Sequence, residues 1–168
     1  RWAERAVNQY LNKILETEND DYVLASDTDS LYVTLDSLVQ KVGLTDTDKI
    51  IEFMDKVCEG KIQDVIDKCY DEMAEYVNAF EQKMVMKREV LAEVGIWTGK
   101  KHYILNVHNS EGVQYDEPKL KIMGIEAVKS STPEPCRNAL KEAFKIMMNG
   151  TEDDVINYIE DFKTKFKK

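Results

Sequence analysis

The spacing of apolar residues predicts helices in the N-terminal half of the chain. Over residues 1–16 they recur every three or four positions, which indicates one amphipathic helix. The same period over residues 47–79 predicts two helices that meet near Gly60. The side chain of Asp46 or of Thr47 is suited to cap the first of these two helices.

Alternation of apolar and polar residues predicts two β-hairpins. In the first, β-favouring runs at residues 22–25 and 31–35 flank a polar tip at residues 26–30. The period of two returns after Gln82. It predicts one strand before the second hairpin and two strands within it, over residues 84–91, 101–108 and 113–115. Turns are predicted at residues 97–100 and 109–112.

Strand patterns stop near Glu126, and only helical patterns follow. Ser131 or Thr132 is expected to cap a helix that has Pro133 in its first turn. This helix is predicted to end at Gly150, with one more helix after it. The segment between the second hairpin and these helices is expected to be short and mixed.

The change of pattern predicts an α+β fold in two parts. Residues 1–125 combine an antiparallel sheet with flanking helices, and residues 126–168 contain helices only. A length of 168 residues suits one domain or slightly more, and a hydrophobic fraction of 43% predicts a buried core. The chain lacks an initiator Met and opens inside a helical pattern, so we expect a fragment of a longer protein.

Charge and cysteine content narrow the classes of function. The net charge of −9 argues against a protein wrapped in nucleic acid, because phosphate binding depends on Lys and Arg. Bases are nevertheless enriched locally between Lys83 and Lys121. Cys58, Cys69 and Cys136 match neither a zinc pattern nor a disulfide framework, and we expect free thiols.

The tip of the first hairpin carries two carboxylates, Asp27 and Asp29. In an extended backbone, residues two apart point to the same side, so both side chains would face one way. Like charges at this spacing repel each other, and a divalent cation with oxygen ligands would relieve the repulsion. The simplest alternative is a polar turn without a metal, because Asp and Ser are common turn formers.

Two other metal-binding patterns fit the tip less well. An EF-hand loop starting at Asp27 would need Gly and Glu where the chain has Tyr32 and Leu38, so this interpretation fails. Nucleotide-sugar transferases hold a metal and a diphosphate through a D-x-D motif. Their fold expects parallel strands alternating with helices before the motif, whereas a single helix and an antiparallel hairpin are predicted here.

Four segments of the chain resemble family B DNA polymerases. Asp27-Thr28-Asp29-Ser30 between two apolar strands resembles the catalytic hairpin of that family, although Ala25-Ser26 stands where Tyr-Gly is usual. Lys100-Lys101-His102-Tyr103 is similar to the Lys-Lys-x-Tyr motif of the family. Residues 120–126 and 130–133 resemble the palm–thumb junction of T-even-type phage replicative polymerases. The motifs follow the family's order over nearly the whole chain.

The resemblance implies a two-metal site for phosphoryl transfer at the hairpin tip. Asp29 would be the main ligand of Mg²⁺, and Asp27 would be a second ligand or a supporting carboxylate. Thr28 and Ser30 would fix the turn. Glu89 resembles an acid near the metals on a neighbouring strand of the family, and an exposed strand acid is the alternative for it.

The resemblance also implies contacts with DNA. Lys100, Lys101, Tyr103 and Lys121 would touch the primer–template duplex, the lysines at phosphates or the minor groove and the tyrosine through its flat hydrogen-bonding surface. His102 stands where Arg is more usual. It weakens one contact, because histidine is mostly uncharged at neutral pH.

Other parts of a family B polymerase are missing from this sequence. They are the palm aspartate of Asp-x-x-Ser-Leu-Tyr-Pro, the fingers helix with its triphosphate-binding lysine, and the exonuclease domain. The metal site is therefore incomplete, and the isolated chain is expected to be inactive. The expected partners are primer–template DNA, a deoxynucleoside triphosphate and the remaining polymerase segments, in the same polypeptide or as an N-terminal subunit.

The resemblance places residues 1–125 in the palm and residues 126–168 at the start of the thumb. It also implies that the protein acts in the cytoplasm of a phage-infected bacterium and has no membrane partner. Ser26, Lys87 and His102 depart from the family pattern, since Asp is expected at the position of Lys87. Because of these departures a second function stays open, in which the chain is a degenerate palm that binds DNA or assists assembly but does not catalyse nucleotide addition.

Overall fold

The computed structural model describes residues 1–166 of the chain. Six α-helices lie within this range: α1 Trp2–Leu15, α2 Asp36–Val42, α3 Thr47–Val57, α4 Gln63–Tyr76, α5 Glu134–Asn149 and α6 Glu152–Phe166. Its strands are β1 Val23–Asp27, β2 Ser30–Val33, β3 Val90–Gly99, β4 His102–Ser110 and β5 Val113–Met123. The mixture of helices and antiparallel strands confirms the predicted α+β class.

Two compact units divide the chain, Arg1–Leu91 and a second that begins at Ala92. The predicted boundary between residues 125 and 126 falls inside the second unit. It was inferred from the end of the strand patterns, whereas the compact units reflect which residues contact each other. The palm–thumb boundary therefore stays a prediction. Within residues 1–166, no helix is both long enough and apolar enough to cross a bilayer.

Packing of α1 against α4 forms the core of the first unit. The apolar stripe of α1 is fully buried at its centre, where Val7 and Leu11 are 1% and 0% exposed. Burial of such a side chain contributes about 1.5–3 kcal/mol. The core consists of Ala3, Val7, Leu11, Tyr22, Val23, Ile62, Ile66, Cys69 and Tyr70. Residues of β2 pack against this cluster, so the first hairpin lies directly on the helical core.

Two asparagines on the polar side of α1 fix the start of the first hairpin. The side chain of Asn8 accepts from the Tyr22 amide at 2.9 Å and donates to the Asp21 carboxylate at 2.8 Å. Asn12 accepts from the Asp20 amide at 2.9 Å and donates to its carbonyl oxygen at 2.8 Å. These bonds satisfy backbone groups of a loop that has no secondary structure of its own. They hold the chain in place where it turns from α1 into β1.

The predicted pair of helices after residue 47 is confirmed, with one difference at their junction. Asp46 is the N-cap of α3, and its carboxylate accepts from the Lys49 amide at 3.0 Å. The junction near Gly60 is a π-helical turn, Cys58–Ile62, that continues from α3 into α4 without a break. A π-helical turn is a wider coil, so it shifts the side-chain register between the two helices.

The predicted strand over residues 84–91 is wrong except for its last two residues, since residues 82–89 form no strand and Val90 and Leu91 begin β3. Side chains of the helices hold this segment instead. The Gln63 amide donates to the Met86 carbonyl oxygen at 2.8 Å, and the Arg88 guanidinium pairs with Asp55 and with Glu59. The Arg88 side chain is only 7% exposed. The segment is therefore held by contacts of its side chains with the helices and not by pairing with another strand. β3 begins only at Val90.

A three-stranded sheet in the order β3-β4-β5 belongs to the second unit, apart from the first two residues of β3. The central strand β4 is buried along residues 103–109, so both of its faces are covered. β3 extends to Gly99, and the predicted turn at residues 97–100 is therefore placed too early. The connection to β4 is the two residues Lys100 and Lys101.

The hairpin of β4 and β5 is antiparallel and longer than the sequence predicts. Ser110 pairs with Val113, so the turn is Glu111-Gly112 rather than four residues. Both turn residues have positive φ, 50° and 84°, as a type I′ turn requires. β5 runs on to Met123 where a short mixed segment is predicted, and it passes an irregularity next to Pro118. An edge strand tolerates proline because one side of it forms no ladder bonds.

The two C-terminal helices are confirmed, but the first has a different cap. Pro133 is the N-cap residue of α5, while the Thr132 hydroxyl donates to Glu126 at 3.0 Å. Thr132 is therefore engaged with the 3-10 turn Glu126–Val128 instead of with the helix. α5 ends at Gly150, as predicted.

The buried ion pair of Arg88 generates a stability prediction. Replacement of Arg88 by Leu leaves Asp55 and Glu59 without their cation, and we expect the free energy of unfolding to fall by about 3 kcal/mol. Urea unfolding of the folded protein measures the change. The matched control is Lys56→Leu, which breaks the solvent-exposed pair with Glu52 and should change the free energy of unfolding far less. Equal losses for the two variants would contradict a structural role for the Arg88 pair.

Cysteine reactivity provides a second prediction, this one on pH. Burial raises the pKa of the Cys58 thiol to about 11, with the nearby Arg88 charge opposing the shift. The fold therefore favours the neutral thiol, and its stabilising contribution is present below about pH 8.5 and is lost as the pH rises through 11. Iodoacetamide labelling of Cys58 should increase only towards pH 11 in the folded protein. In urea it should follow the ordinary thiol pKa, and the same midpoint in both states would contradict the prediction.

Candidate functional site

The first hairpin ends in a two-residue turn that carries Asp29. Asp27 is the last residue of β1 and pairs with Ser30, so Thr28 and Asp29 form the turn. The Ser30 hydroxyl donates to the Asp27 carbonyl oxygen at 3.1 Å, and the Thr28 hydroxyl donates to the Asp27 carboxylate at 3.2 Å. Both hydroxyl groups therefore bond to Asp27 and brace the turn.

The backbone of the turn is strained at Thr28. Its φ of 52° lies in the left-handed region, which β-branched residues rarely adopt. Such strain is found mostly where the surrounding structure enforces it, often at functional sites. The sequence gives no sign of it, because Thr is not a residue that usually marks positive φ.

The two carboxylates of the tip lie in different settings. Asp27 is partly buried at the end of its strand, whereas Asp29 is exposed in the turn. The expectation that both point the same way assumes an extended backbone from Asp27 to Asp29. The turn interrupts that backbone, so strand alternation does not determine their relative directions. The exposed Asp29 is the one open to a ligand from solvent.

Tyr70 of α4 lies within the electrostatic influence of Asp29. Burial raises the pKa of Tyr70, and the charges of Cys69, Asp29 and Asp67 raise it further. Tyr70 belongs to the core on which the hairpin packs. The sequence identifies it only as one apolar position of α4, because its proximity to Asp29 depends on how the hairpin packs on the helix.

The donor set of the tip suits a hard divalent cation but does not complete its coordination. Two carboxylates supply oxygen ligands, which Mg²⁺ prefers, and Mg²⁺ usually takes one or two of them with waters and phosphates in the other positions. Within residues 1–166, no group of three His, Cys, Asp or Glu side chains is placed to hold a metal. Other ligands must come from a substrate, from water or from other polypeptide segments.

Glu89 lies in the irregular segment just before β3 and is exposed, as is Lys87. The ion pairs of Arg88 anchor the backbone between these two residues. Glu89 does not join Asp27 and Asp29 in a three-ligand group among the described residues. A metal role for Glu89 stays a prediction.

The second set of predicted residues lies at the turn between β3 and β4. Lys100 and Lys101 are the two turn residues, and both are exposed. Lys101 has a φ of 60°, and the His102 ring nitrogen Nδ1 bonds to the Lys100 carbonyl oxygen at 2.7 Å. Tyr103 is only 6% exposed, which leaves little of its ring for contact with DNA.

Lys121 shares a face of the sheet with Tyr103. On β5, Lys121 pairs with Leu105, and Met123 pairs with Tyr103. Direct partners in an antiparallel pair lie on the same face, and alternate residues of a strand do too. Within the second unit, the sheet thus carries exposed lysines at the β3–β4 turn and a further lysine on β5.

Comparison with known proteins assigns the chain to a family. The model of the divergent family B DNA polymerases matches residues 14–160. The chain belongs to this family. The "DNA-directed DNA polymerase" of Escherichia phage RB69 is 44% identical over 163 residues, which cover 90% of this chain and 18% of that protein. The "DNA-directed DNA polymerase" of Enterobacteria phage T4 is 36% identical over 179 residues, which cover 100% of this chain and 20% of that protein.

These matches confirm the resemblance to T-even-type phage polymerases. The family B chain spans about a fifth of the length of both relatives. The matched region includes the Asp27–Ser30 tip and the Lys100–Lys101 turn. Family membership therefore rests on nearly the whole described chain and not on the short motifs alone.

The position of Tyr70 provides a test of the geometry at the tip. The negative charge of Asp29 opposes ionisation of the Tyr70 phenol, so Asp29→Asn should lower the pKa of Tyr70. NMR titration of ¹³Cζ-labelled tyrosines measures this change. Asp48→Asn is the control, since it makes the same chemical change at an exposed position of α3 that is not among the charges that raise the pKa of Tyr70, and it should leave the titration unchanged. Equal effects of the two variants would contradict the placement of Asp29.

Proposed function

We propose that this chain is the part of a family B DNA polymerase that carries the catalytic hairpin of the palm and the beginning of the thumb. With the remaining segments of the enzyme, it adds deoxynucleotides to a primer 3′ end under the direction of a template. The observation that supports this function is the tight turn Thr28-Asp29 at the end of a hairpin, in a chain of this family. The predicted palm of residues 1–125 and thumb of residues 126–168 form part of the same proposal.

Asp29 is the residue that we assign to direct metal binding. It is exposed in the turn at the tip, so its carboxylate is open to a cation from solvent. Bound Mg²⁺ would neutralise charge on the triphosphate and on the attacking 3′ oxygen. Asp29 would hold the cation at the tip, and the other ligands would come from water, substrate phosphates and a carboxylate of another segment.

Asp27 has a supporting role in this proposal. Its carboxylate accepts from the Thr28 hydroxyl, and its carbonyl oxygen accepts from the Ser30 hydroxyl. These two bonds restrict the turn that carries Asp29. Positioning matters for phosphoryl transfer, because the attacking and leaving groups must lie in line. Asp27 adds negative charge beside Asp29, and this repulsion favours binding of a cation.

Lys100, Lys101 and Lys121 are assigned to the primer–template duplex. Lysine side chains make contacts with phosphates that position a protein on DNA without reading its sequence. The net charge of the chain is −9, but contact with the duplex depends on the local charge of these lysines and not on the net charge. Tyr103 supports the same strand from a buried position.

The remaining polymerase segments are necessary partners in this proposal. They supply the further palm aspartate, the fingers and the exonuclease, either within one longer polypeptide or as an N-terminal subunit. The deoxynucleoside triphosphate binds between these segments and the tip. The enzyme would act in the cytoplasm of the infected bacterium, where phage DNA replicates.

Asp29→Asn tests the proposed function in the assembled polymerase. The substitution removes the charge that holds the cation while it preserves the size of the side chain. We expect nucleotide incorporation to fall by at least about 10³-fold, on the order expected when an electrostatic contact to the transition state is lost. Single-turnover primer extension measures the rate, and binding of a primer–template should stay within about twofold of the wild type.

A matched control distinguishes loss of the metal ligand from loss of any surface charge. Asp71→Asn makes the same chemical change at an exposed position of α4 and should leave incorporation unchanged. Wild-type incorporation by Asp29→Asn would exclude the proposed role of Asp29. Absence of incorporation by the assembled wild-type polymerase would instead favour the second candidate function, a non-catalytic palm. The observation that favours this second function is Lys87, at a position where the family resemblance predicts Asp.

A further inference from the structure

We propose that Gly124 is a positioning residue that holds the Lys100–Lys101 turn in the shape that presents its lysines to DNA. The inference rests on the proposed function, since it takes contact between these lysines and the duplex as its starting point. It assigns a role to a glycine that lies outside the Lys-Lys-x-Tyr motif. Gly124, the Lys100–Lys101 turn and His102 all belong to the second unit of the chain.

Gly124 lies against the backbone of the turn. A Cβ atom at this position would come far inside 3.0 Å of the Lys101 carbonyl oxygen, a distance that Cβ atoms essentially never show. It would also lie 3.0 Å from Cδ2 of the His102 ring. The Lys101 carbonyl belongs to the main chain and has no flexible end that swings aside. Any larger residue at position 124 therefore displaces the turn or the end of β5.

The conformation of Gly124 adds a second requirement for glycine. Its φ of 69° lies in the left-handed region, which other residues adopt with strain. Met123 pairs with Tyr103 as the last pair between β4 and β5, so Gly124 is the first residue beyond the ladder. The positive φ turns the chain there, next to the turn that begins β4.

His102 connects the turn to the residue that follows β5. Lys101 has positive φ, and the His102 ring bonds to the Lys100 carbonyl oxygen at 2.7 Å. His102 is thus in contact with the turn on one side and with Gly124 on the other. Movement of the Lys101 carbonyl would redirect both lysines, because their Cα atoms belong to the same two-residue connection.

The start of the helical region lies beside the same turn. Glu126 accepts hydrogen bonds from Lys129 and from Thr132, which lower the pKa of its carboxyl, and the charge of His102 lowers it further. Gly124 connects β5 to this bonded turn of residues 126–132. Gly124 therefore lies between two features: the turn that carries the lysines, which it contacts, and the segment that leads into α5, which follows it in the chain.

The test compares two glycines that both have positive φ. Gly112 has a φ of 84° and open space around its Cα, so Gly112→Ala introduces backbone strain without a clash. Gly124→Ala introduces similar strain together with the clash against the turn. Both variants are made in the assembled polymerase, and binding of a primer–template is measured by fluorescence anisotropy at several salt concentrations.

We expect Gly124→Ala to weaken duplex binding by about tenfold and Gly112→Ala to leave it within about twofold. The dependence on salt separates misplaced lysines from a general loss of structure. Each lost phosphate contact reduces the slope of log K against log salt by about 0.9. We expect a reduction of about one to two for Gly124→Ala, with the Michaelis constant for the nucleotide unchanged.

A second pair of variants covers the case in which Gly124→Ala does not fold. His102→Leu removes the bond to the Lys100 carbonyl without adding a clash, and it should reduce both affinity and salt slope. His102→Asn places an amide nitrogen near the position of Nδ1 and should restore both. Failure of Asn to rescue the Leu phenotype would contradict a positioning role for the bonds around the turn.

A double variant of Lys100 and Lys101 distinguishes a failure of the proposed DNA contact from a failure of the proposed role of Gly124. If Lys100→Ala with Lys101→Ala binds duplex as the wild type does, the proposed DNA contact is wrong. If that double variant binds weakly while Gly124→Ala matches Gly112→Ala, the DNA contact stands and the positioning role of Gly124 is excluded. Weak binding by both the double variant and Gly124→Ala, with matching salt slopes, is the outcome that supports the inference.

Discussion

Burial of the α1 stripe against α4 is the contact on which the first unit depends. Leu11 and Val7 lose essentially all exposure there, and the first hairpin has no comparable core of its own. A two-stranded hairpin is only marginally stable by itself in water. It is held because Tyr22, Val23 and parts of β2 join the helical core, while Asn8 and Asn12 fix the loop before β1. The turn that carries Asp29 thus belongs to a hairpin that the helical core stabilises.

Polar contacts in both units hold chain segments that regular secondary structure does not. Arg88 fastens residues 82–89 to the helices, and the bonds of Glu126 fasten the segment before α5. In the second unit, Gly124 permits a close approach of backbone to backbone at the β3–β4 turn. The contacts of Arg88 and of Gly124 join residues more than 20 positions apart, whereas Glu126 bonds to residues 3 and 6 positions later. They fix the backbone next to Glu89 and at the Lys100–Lys101 turn.

A large part of the fold was predictable from local pattern. The period of 3.6 identified α1, α3, α4 and the C-terminal helices, because each has one continuous apolar stripe. Both hairpins were predictable from alternation and turn residues. The strand predicted at residues 84–91 was wrong, because alternation there reflects which side chains reach the core and not a ladder of backbone bonds. The sequence predicts Arg88 only as part of that strand, because its partners Asp55 and Glu59 lie about 30 positions earlier in the chain.

The sequence by itself determined the class of fold, the polar tip with two carboxylates and the family, because these depend on local composition and on the order of short motifs. The tertiary structure alone decided that Asp29 sits in the turn while Asp27 ends the strand, and that Thr28 has positive φ. It also placed Tyr70 near Asp29 and Gly124 against Lys101. Each of these relations depends on packing between segments that are distant in the chain or on one turn geometry among several. A single sequence contains the residues for such contacts but not the distances between them.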